Sequence, residues 1–334
     1  MTFGTEFVSV GMSVPDRVIT NDDLSKLMDT NDEWITQRSG IKERRWVDAA
    51  TTTSDLGLRA SLDAIAAAGI AKEEIDLIIV ATISPDHDFP GTSCFLQRKL
   101  GLSGCAVLDI RQACSGFIYG MSIADQFIRT GMYKTVLLVG AEVHSKGLDV
   151  STQGRDVSVL FGDGAGAVIL RRTSESNPNR ILSTHLHADG AFAEDLWMPG
   201  PGMNLGAKRV STEMIAEGLC FAKMNGKKVF ANAIRRMAEV LHEGLAHNGV
   251  SIADIDLFLF HQANLRINEM LAQELKIPAD KVFNTIQKFG NTTAATIPIG
   301  MACAQEAGKL KKGMLVASAA FGSGFAWGSS VYRW

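Results

Sequence analysis

Cys114, His261 and Asn291 are a thiol, an imidazole and a carboxamide that could act together in one reaction. Cys114 lies in the stretch QACSGFIYGMSIADQF, residues 112–127, where Phe117, Met121, Ala124 and Ile128 recur at three- and four-residue steps. That spacing predicts a helix opening just after the cysteine. Unpaired backbone N–H groups and the positive end of the helix dipole gather at such a mouth and favour the nucleophilic thiolate. Taken alone, Cys114 reads equally well as a small packing residue. His261 follows the apolar run LFLF, residues 257–260, and so ends a buried strand at the sheet edge where α/β folds bind ligands. A histidine there is either a satisfied buried group or a catalytic one. Asn291 follows Gly290 and precedes a helical stretch, so it reads as an N-cap as readily as a site donor. A thiol nucleophile needs an acid–base partner and donors for a developing oxyanion, which the three residues together supply.

Such distant residues must be brought together by the fold, and the chain carries an internal repeat that could do so. EEIDLIIVATISPDHDF (73–89) is similar to ADIDLFLFHQANLRI (253–267), and KTVLLVGAEV (134–143) to GMLVASAAFGSG (313–324). Between them lie the helical stretches GFIYGMSIADQFIRTG and ATIPIGMACAQEAGKL, and the separation is about 180 residues at both ends. Apolar strands alternating with helices predict sheets buried on both faces. The reading is two similar α/β halves, residues 1–173 and 174–334, joined through the polar stretch RRTSESNPNR (171–180) and packed on shared central helices. Aligning Val136 with Met314 sets Cys114 opposite Thr292, beside Asn291, so that both helix mouths face one central point. LFGDGAGAVIL (160–170) reads as a tight hairpin, since it lacks the Lys-Ser/Thr ending of a phosphate loop. In FGSGFAWG (321–328) the backbone can approach the reacting carbon, and Ser323 is the oxyanion donor expected beside the N–H of Cys114. The Gly-, Pro-, Met- and Trp-rich segment 190–225 could wall a site or be a surface excursion.

The 334 residues are 46% hydrophobic and 21% charged, which is a globular profile with length for a large core. A net charge of −3 excludes a global field for nucleic acid or an anionic membrane. The acidic N-terminal stretch is not a signal peptide, and no apolar run is long enough to span a bilayer. Five dispersed cysteines argue against a disulfide framework and for a reducing, cytoplasmic setting. Cys94, Cys105, Cys220 and Cys303 read as packing residues, and no spacing suggests a metal site. The order Cys, His, Asn also occurs in papain-like proteases, but the C-G-S-C-W pattern is absent and Cys114 is far from the N-terminus. A scaffold with a degenerate site is disfavoured by the intact residue types.

The ordered motifs ACSGF, FGDGAGA, HQANLR, KFGNT and AFGSGFAWGS, with the early NDEWITQRSGIKERR, closely resemble β-ketoacyl-acyl-carrier-protein synthase III, a thiolase-like condensing enzyme family. The resemblance runs from about residue 6 to Trp334. It implies a five-layered αβαβα fold, a homodimer, no cofactor and no metal. It implies that Cys114 is acylated by an acyl-CoA, and that His261 and Asn291 bind a malonyl-carrier-protein thioester as it decarboxylates. By the same resemblance Trp34 and Arg155 sandwich the CoA adenine, and Arg38 contacts its phosphate or nucleotide end. Phe89 would reach into the partner subunit's acyl pocket. An acidic carrier protein would dock on Arg266 and on Lys227, Lys228, Arg235 and Arg236, which fall on about one side of a helix. Two departures stand out: Ala231 where a lysine is common, and Gln112 where an alanine is common. Relatives that make quinolones, diketones or polyketide starters, or that transfer acyl groups, are the alternative reading.

Overall fold

The computed structural model describes residues 3–206 and 208–334. Strands β1 (Phe3–Ser13), β2 (Leu77–Ala81), β3 (Ala106–Ile110), β4 (Thr135–Glu142) and β5 (Gly164–Ser174) form one sheet in the order β1-β5-β4-β2-β3. Strands β6 (Ile181–Ala188), β7 (Leu257–Phe260), β8 (Leu315–Gly322) and β9 (Ala326–Arg333) form a second in the order β7-β8-β9-β6. In the first sheet β2 pairs in parallel with both β3 and β4, while β4–β5 and β1–β5 are antiparallel. In the second β7–β8 is parallel, while β8–β9 and β9–β6 are antiparallel. A single parallel bridge from Phe258 to Val282 stands where the first half has the whole of β3.

The main helices are α1 (Asp32–Ser39), α2 (Thr53–Ala68), α3 (Thr92–Lys99), α4 (Gly116–Arg129), α5 (Gly226–His247), α6 (Leu265–Glu274) and α7 (Thr296–Glu306). They complete five layers. Phe117 and Met121 of α4 pack with Ile297 and Met301 of α7, between Ile79 and Leu138 of the first sheet and Leu259 and Val316 of the second. Outside the first sheet, Leu56, Ala60 and Ala64 of α2 cover Ile78, Val80, Leu137 and Val139. Outside the second, Met237 and Leu241 of α5 and Leu271 of α6 cover Phe258, Phe260 and Ala317. Alternate residues of one apolar strand thus enter different layers, which is why the strands read as unbroken apolar runs. Each fully buried Leu or Ile contributes roughly 1.5–3 kcal/mol. Among the described residues no helix is long and apolar enough to cross a membrane.

Two expectations about the repeat need correction. The halves match at an offset of 180 residues, Leu77 with Leu257 and Gly116 with Thr296, so Cys114 corresponds to Ala294 and not to Thr292. The slip arose because GMLVASAAFG is apolar throughout and offers no alternation to fix its register. The true pairing is marked by backbone shape: Ala113 and Thr293 both hold left-handed conformations, with φ of 46° and 48°. Nor is 160–170 a hairpin. Phe161 bridges Asn291, and Gly164–Ser174 is one long strand paired on both sides, with β1 and β4.

Gly140 of β4 lies against the turn that opens α7, where a Cβ would stand 2.4 Å from the Ala294 carbonyl oxygen. Gly140→Ala should therefore destabilise the protein by about 1–3 kcal/mol through overpacking. Urea denaturation would measure it, and an unchanged midpoint would show that the two layers can move apart.

Candidate active site

Four chain segments deliver the site. Cys114 sits on the short 3-10 turn Ala113–Ser115 that links the β3 exit to α4, and it is buried at 8% exposure. His261 continues β7, its N–H donating to the Ala319 carbonyl at 2.9 Å. Asn291 is tied to the first half, its N–H donating to Leu160 O (2.8 Å) and its carbonyl accepting from Gly162 N–H (3.1 Å). All three line one cavity of about 570 Å³, together with Trp34, Arg38, Arg155 and Lys227. Gly322 at the end of β8 closes over the nucleophile, where a Cβ would stand 2.8 Å from the Cys114 Cβ.

Hydrogen bonds orient the two partner residues. Asn291 Oδ1 accepts from the Thr293 N–H at 2.8 Å, which identifies the oxygen and leaves the amide NH2 for a ligand. His261 Nδ1 lies 2.7 Å from Thr296 Oγ1, whose hydroxyl donates to the Thr293 carbonyl at 2.9 Å. Nδ1–H therefore donates, and Nε2 is buried with no partner among the described residues. An unpaired buried acceptor is costly and marks a group reserved for a ligand or a proton. Gln262, which the sequence reading missed, clamps this corner: Oε1 accepts from the N–H groups of Thr285 and Ile286, and Nε2 donates to Phe260 O.

Burial reverses the expectation of a resting thiolate. The thiol of Cys114 is pushed up to about 12, first by desolvation and then by the charge of Glu142, against the favourable hydrogen bonds of its own N–H and of Thr293. Burial also lowers His261 to about 3, so thiol and imidazole are both neutral at rest. Nearby, desolvation raises Glu142 to about 7 and lowers His144 to about 4.

The cavity mouth carries a planar cation cluster. The guanidinium carbons of Arg38 and Arg155 lie 4.1 and 5.1 Å from the Trp34 ring centroid, so Arg38 is the nearer stacking partner. Arg155 Nη1 also donates to the Asp29 carbonyl. The cavity wall is apolar: Val229, Ala233 and Met237 of α5 form a stripe at four-residue spacing, alongside Ile267 and Phe321. The sequence reading did not single these out, although the stripe is visible as i, i+4, i+8 spacing.

Other expected positions fall elsewhere. Among the described lining residues, Phe321 and Gly322 represent the Gly-rich segment, and Ser323 does not line the cavity. Phe89 is 83% exposed and lies outside the cavity of its own chain. The four basic residues of α5 do not form one free face. Lys227 lines the cavity, while Lys228 pairs with Asp195 at 3.1 Å. Arg235 donates to Asn232 at 3.0 Å. Arg236 pairs with Glu239 at 2.9 Å and lies over the Trp327 ring at 4.6 Å. Arg266 donates to the Gln37 carbonyl and pairs with Glu269 at 2.8 Å. The other four cysteines are free and half-buried, and of these Cys105 and Cys303 pack against apolar clusters.

The two buried imidazoles set the acid limb of stability. Their folded values lie below the ordinary 6.5, so as pH falls the unfolded chain takes up protons that the folded chain refuses. Glu142 acts oppositely between about 7 and its ordinary 4.5, because the folded chain holds that proton more tightly. Their balance is a loss of about one proton's worth, ~1.4 kcal/mol per pH unit, as pH falls from 6.5 toward 4.5. His144→Leu should flatten the dependence by that amount, read from urea unfolding at stepped pH values. An unchanged slope would mean that His144 is solvated and protonates in place.

Comparison with known proteins bears on the same residues. The profile described as 3-oxoacyl-[acyl-carrier-protein (ACP)] synthase III matches residues 108–190, and the profile of its C-terminal part matches residues 245–334. The chain is 44% identical to the β-ketoacyl-[acyl-carrier-protein] synthase III of Xanthomonas euvesicatoria, covering 99% of this chain and 98% of that one. It is 43% identical to the protein of the same name from Thioalkalivibrio sulfidiphilus, over 100% of both chains. The crystal structure of 3-oxoacyl-[acyl-carrier-protein] synthase III from Aquifex aeolicus is similar with a TM-score of 0.90 at 42% identity, covering 99% of this chain and 100% of that one. With full-length identity at this level, and the thiolase-like layering shared, the chain belongs to the β-ketoacyl-acyl-carrier-protein synthase III family.

Proposed function

We propose that the chain catalyses the decarboxylative condensation that begins fatty acid synthesis, joining an acyl-CoA primer to malonyl-acyl carrier protein through an acyl-Cys114 intermediate. The observation that carries this reading is that Cys114, His261 and Asn291, from three separate elements, line a single cavity whose mouth holds Trp34, Arg38 and Arg155. The aromatic ring and guanidinium groups suit the adenine and phosphates of CoA. The apolar stripe of α5 suits a pantetheine arm and excludes water from the sulfur.

In the first half-reaction the thiol proton passes to the bare Nε2 of His261 as sulfur attacks the thioester carbonyl. The N–H of Cys114 would serve as one oxyanion donor; Ser323, expected as the second, does not itself line the cavity. The proton leaves with CoA. In the second, malonyl thioester enters, its carboxylate departs as carbon dioxide, and the enolate oxygen accepts from the Asn291 amide and from His261 Nε2–H. That requires the other imidazole tautomer. Thr296 supports both: its hydroxyl accepts from Nδ1–H, or turns from the Thr293 carbonyl and donates to Nδ1. The carbanion then attacks the acyl-Cys114 carbonyl, releasing the β-ketoacyl product and the Cys114 thiolate, which takes up one proton from solvent to restore the thiol. Converging neutral donors in a dry cavity are strong here because charge develops only in the transition state.

The division at residues 1–173 and 174–334, the homodimer and the carrier protein belong to the same reading. Exposed Phe89, Met203 and Ile215 supply apolar surface for a second copy, with Arg209 paired to Asp88 linking their segments. An acidic carrier protein fits Lys227, which lines the cavity, and the exposed Arg235 and Arg266 better than Arg236, which is folded over Trp327. Free cysteines suit the cytoplasm.

Intact mass after incubation with an acyl-CoA panel tests the first half-reaction. Cys114→Ser should form no thioester, and a retained adduct would reassign the nucleophile. Asn291→Ala should keep acylation yet lose condensation by about 10²–10³-fold, the usual effect of deleting one oxyanion donor. Equal loss of both steps would give Asn291 another role. Trp34→Ala should raise KM for acyl-CoA about fivefold with kcat nearly unchanged, the scale of one stacking contact. An unchanged KM would remove Trp34 from the nucleotide site.

A further inference from the structure

Thr293 lies beneath all three site residues. Its N–H orients the Asn291 amide, at 2.8 Å from Oδ1. Its carbonyl accepts from Thr296 Oγ1, the atom that holds His261 Nδ1. Its hydroxyl lies 2.7 Å from His144 Nε2, and its side chain is the neighbour that favours the charged form of the Cys114 sulfur, beside the N–H of Cys114 itself. The residue is fully buried and held at φ 48°, a conformation that a β-branched side chain adopts only when its surroundings enforce it.

His144 is a second imidazole that the mechanism above does not use. It follows β4, its side chain is 11% exposed, and its ring lies against Phe161 at 4.7 Å. The Thr293 hydroxyl has one proton. If it donates to sulfur, Oγ1 must accept from His144 Nε2–H. Glu142 Oε2, 4.0 Å from Nε2, favours the tautomer with the proton on that nitrogen. The charged or titratable groups facing this corner are Glu142 from β4, Asp163 from the segment before β5, His261 after β7, and Cys114 itself. Asp163 is occupied by Ser145, Val47 and the His144 N–H.

We propose that His144 and Thr293 are positioning residues for the nucleophile: His144 Nε2–H donates to Thr293 Oγ1, and the Thr293 O–H donates to the Cys114 sulfur, steadying it as its proton leaves for His261. No proton crosses this wire. The bond broken is S–H, the bond formed is N–H at His261 Nε2, and the two hydrogen bonds strengthen as charge develops on sulfur. The proposal deepens the reading of Cys114 as the acylated residue.

The test uses iodoacetamide, which alkylates a thiolate and needs no acyl-CoA, so it reports on the sulfur even if the assigned substrates are wrong. Alkylation at Cys114 is followed by peptide mass across pH on the full chain. Thr293→Val should slow alkylation at pH 8 by about tenfold and move the pH midpoint up by about one unit, as expected for losing a hydrogen bond to a charged acceptor. Thr293→Ser should restore the parent profile. His144→Leu should give a smaller shift in the same direction, and His144→Gln, which keeps an N–H donor, should lie closer to the parent. A folded Thr293→Val protein with the parent profile overturns the proposal, as does Thr293→Ser behaving like valine. If the valine protein does not fold, His144→Leu decides: a parent profile there removes the wire. Acyl-enzyme formation from acetyl-CoA, run in parallel, should fall with the alkylation rate. Normal alkylation without acylation in the parent would sink the substrate reading alone.

Discussion

Ala113 and Thr293 hold left-handed backbone at equivalent points of the two halves, where the chain turns off a sheet edge into a central helix. Neither residue type prefers that conformation. The layers impose it, because α4 and α7 share one apolar layer and must start close to each other. Gly140, pressed against Ala294, shows how little room that meeting point has. The consequence is that Cys114 is delivered by one turn while Asn291 and the Thr293–Thr296 segment are delivered by the other. A pseudo-twofold fold thereby builds an asymmetric site, with sulfur on one side and its donors on the other.

Desolvation governs the electrostatics that follow. The helix mouth and the Thr293 hydroxyl favour thiolate, but burial and the Glu142 charge outweigh them, and the resting sulfur is protonated. The same burial keeps His261 and His144 neutral. A neutral pair is suited to a reaction in which charge appears transiently, first on a thioester oxygen and then on an enolate. Fixed dipoles stabilise such charge without the reorganisation that water would need. A permanently ionised sulfur in this cavity would instead carry the full desolvation cost in the ground state.

Polar clamps in and behind the cavity wall carry much of the geometry. Gln262 pins the His261 corner to Thr285 and Ile286, and Asn264 Nδ2 donates to the Arg38 carbonyl, joining the donor side of the cavity to the basic mouth. Arg236 illustrates the converse: a residue that reads as surface charge is folded back over Trp327 and paired with Glu239. Its guanidinium serves the packing of α5 on β9 more than an external partner.

The residue types of the site, the buried strands that precede them and the 180-residue repeat were all legible in the chain, because apolar periodicity and glycine-marked turns are local signals. So were the motifs that carry the family resemblance. Register within the repeat was not, because a uniformly apolar strand has no alternation to align. The ionisation of Cys114 was not legible either, because burial is set by residues more than two hundred positions away, such as Gly322. The roles of Thr293 toward His144, and of His144 and Gln262, were equally hidden: each depends on a hydrogen bond between segments that only tertiary packing brings together. Sequence determined which groups and elements are present. Tertiary structure decided which of them share a dry volume, and therefore which charges they can hold.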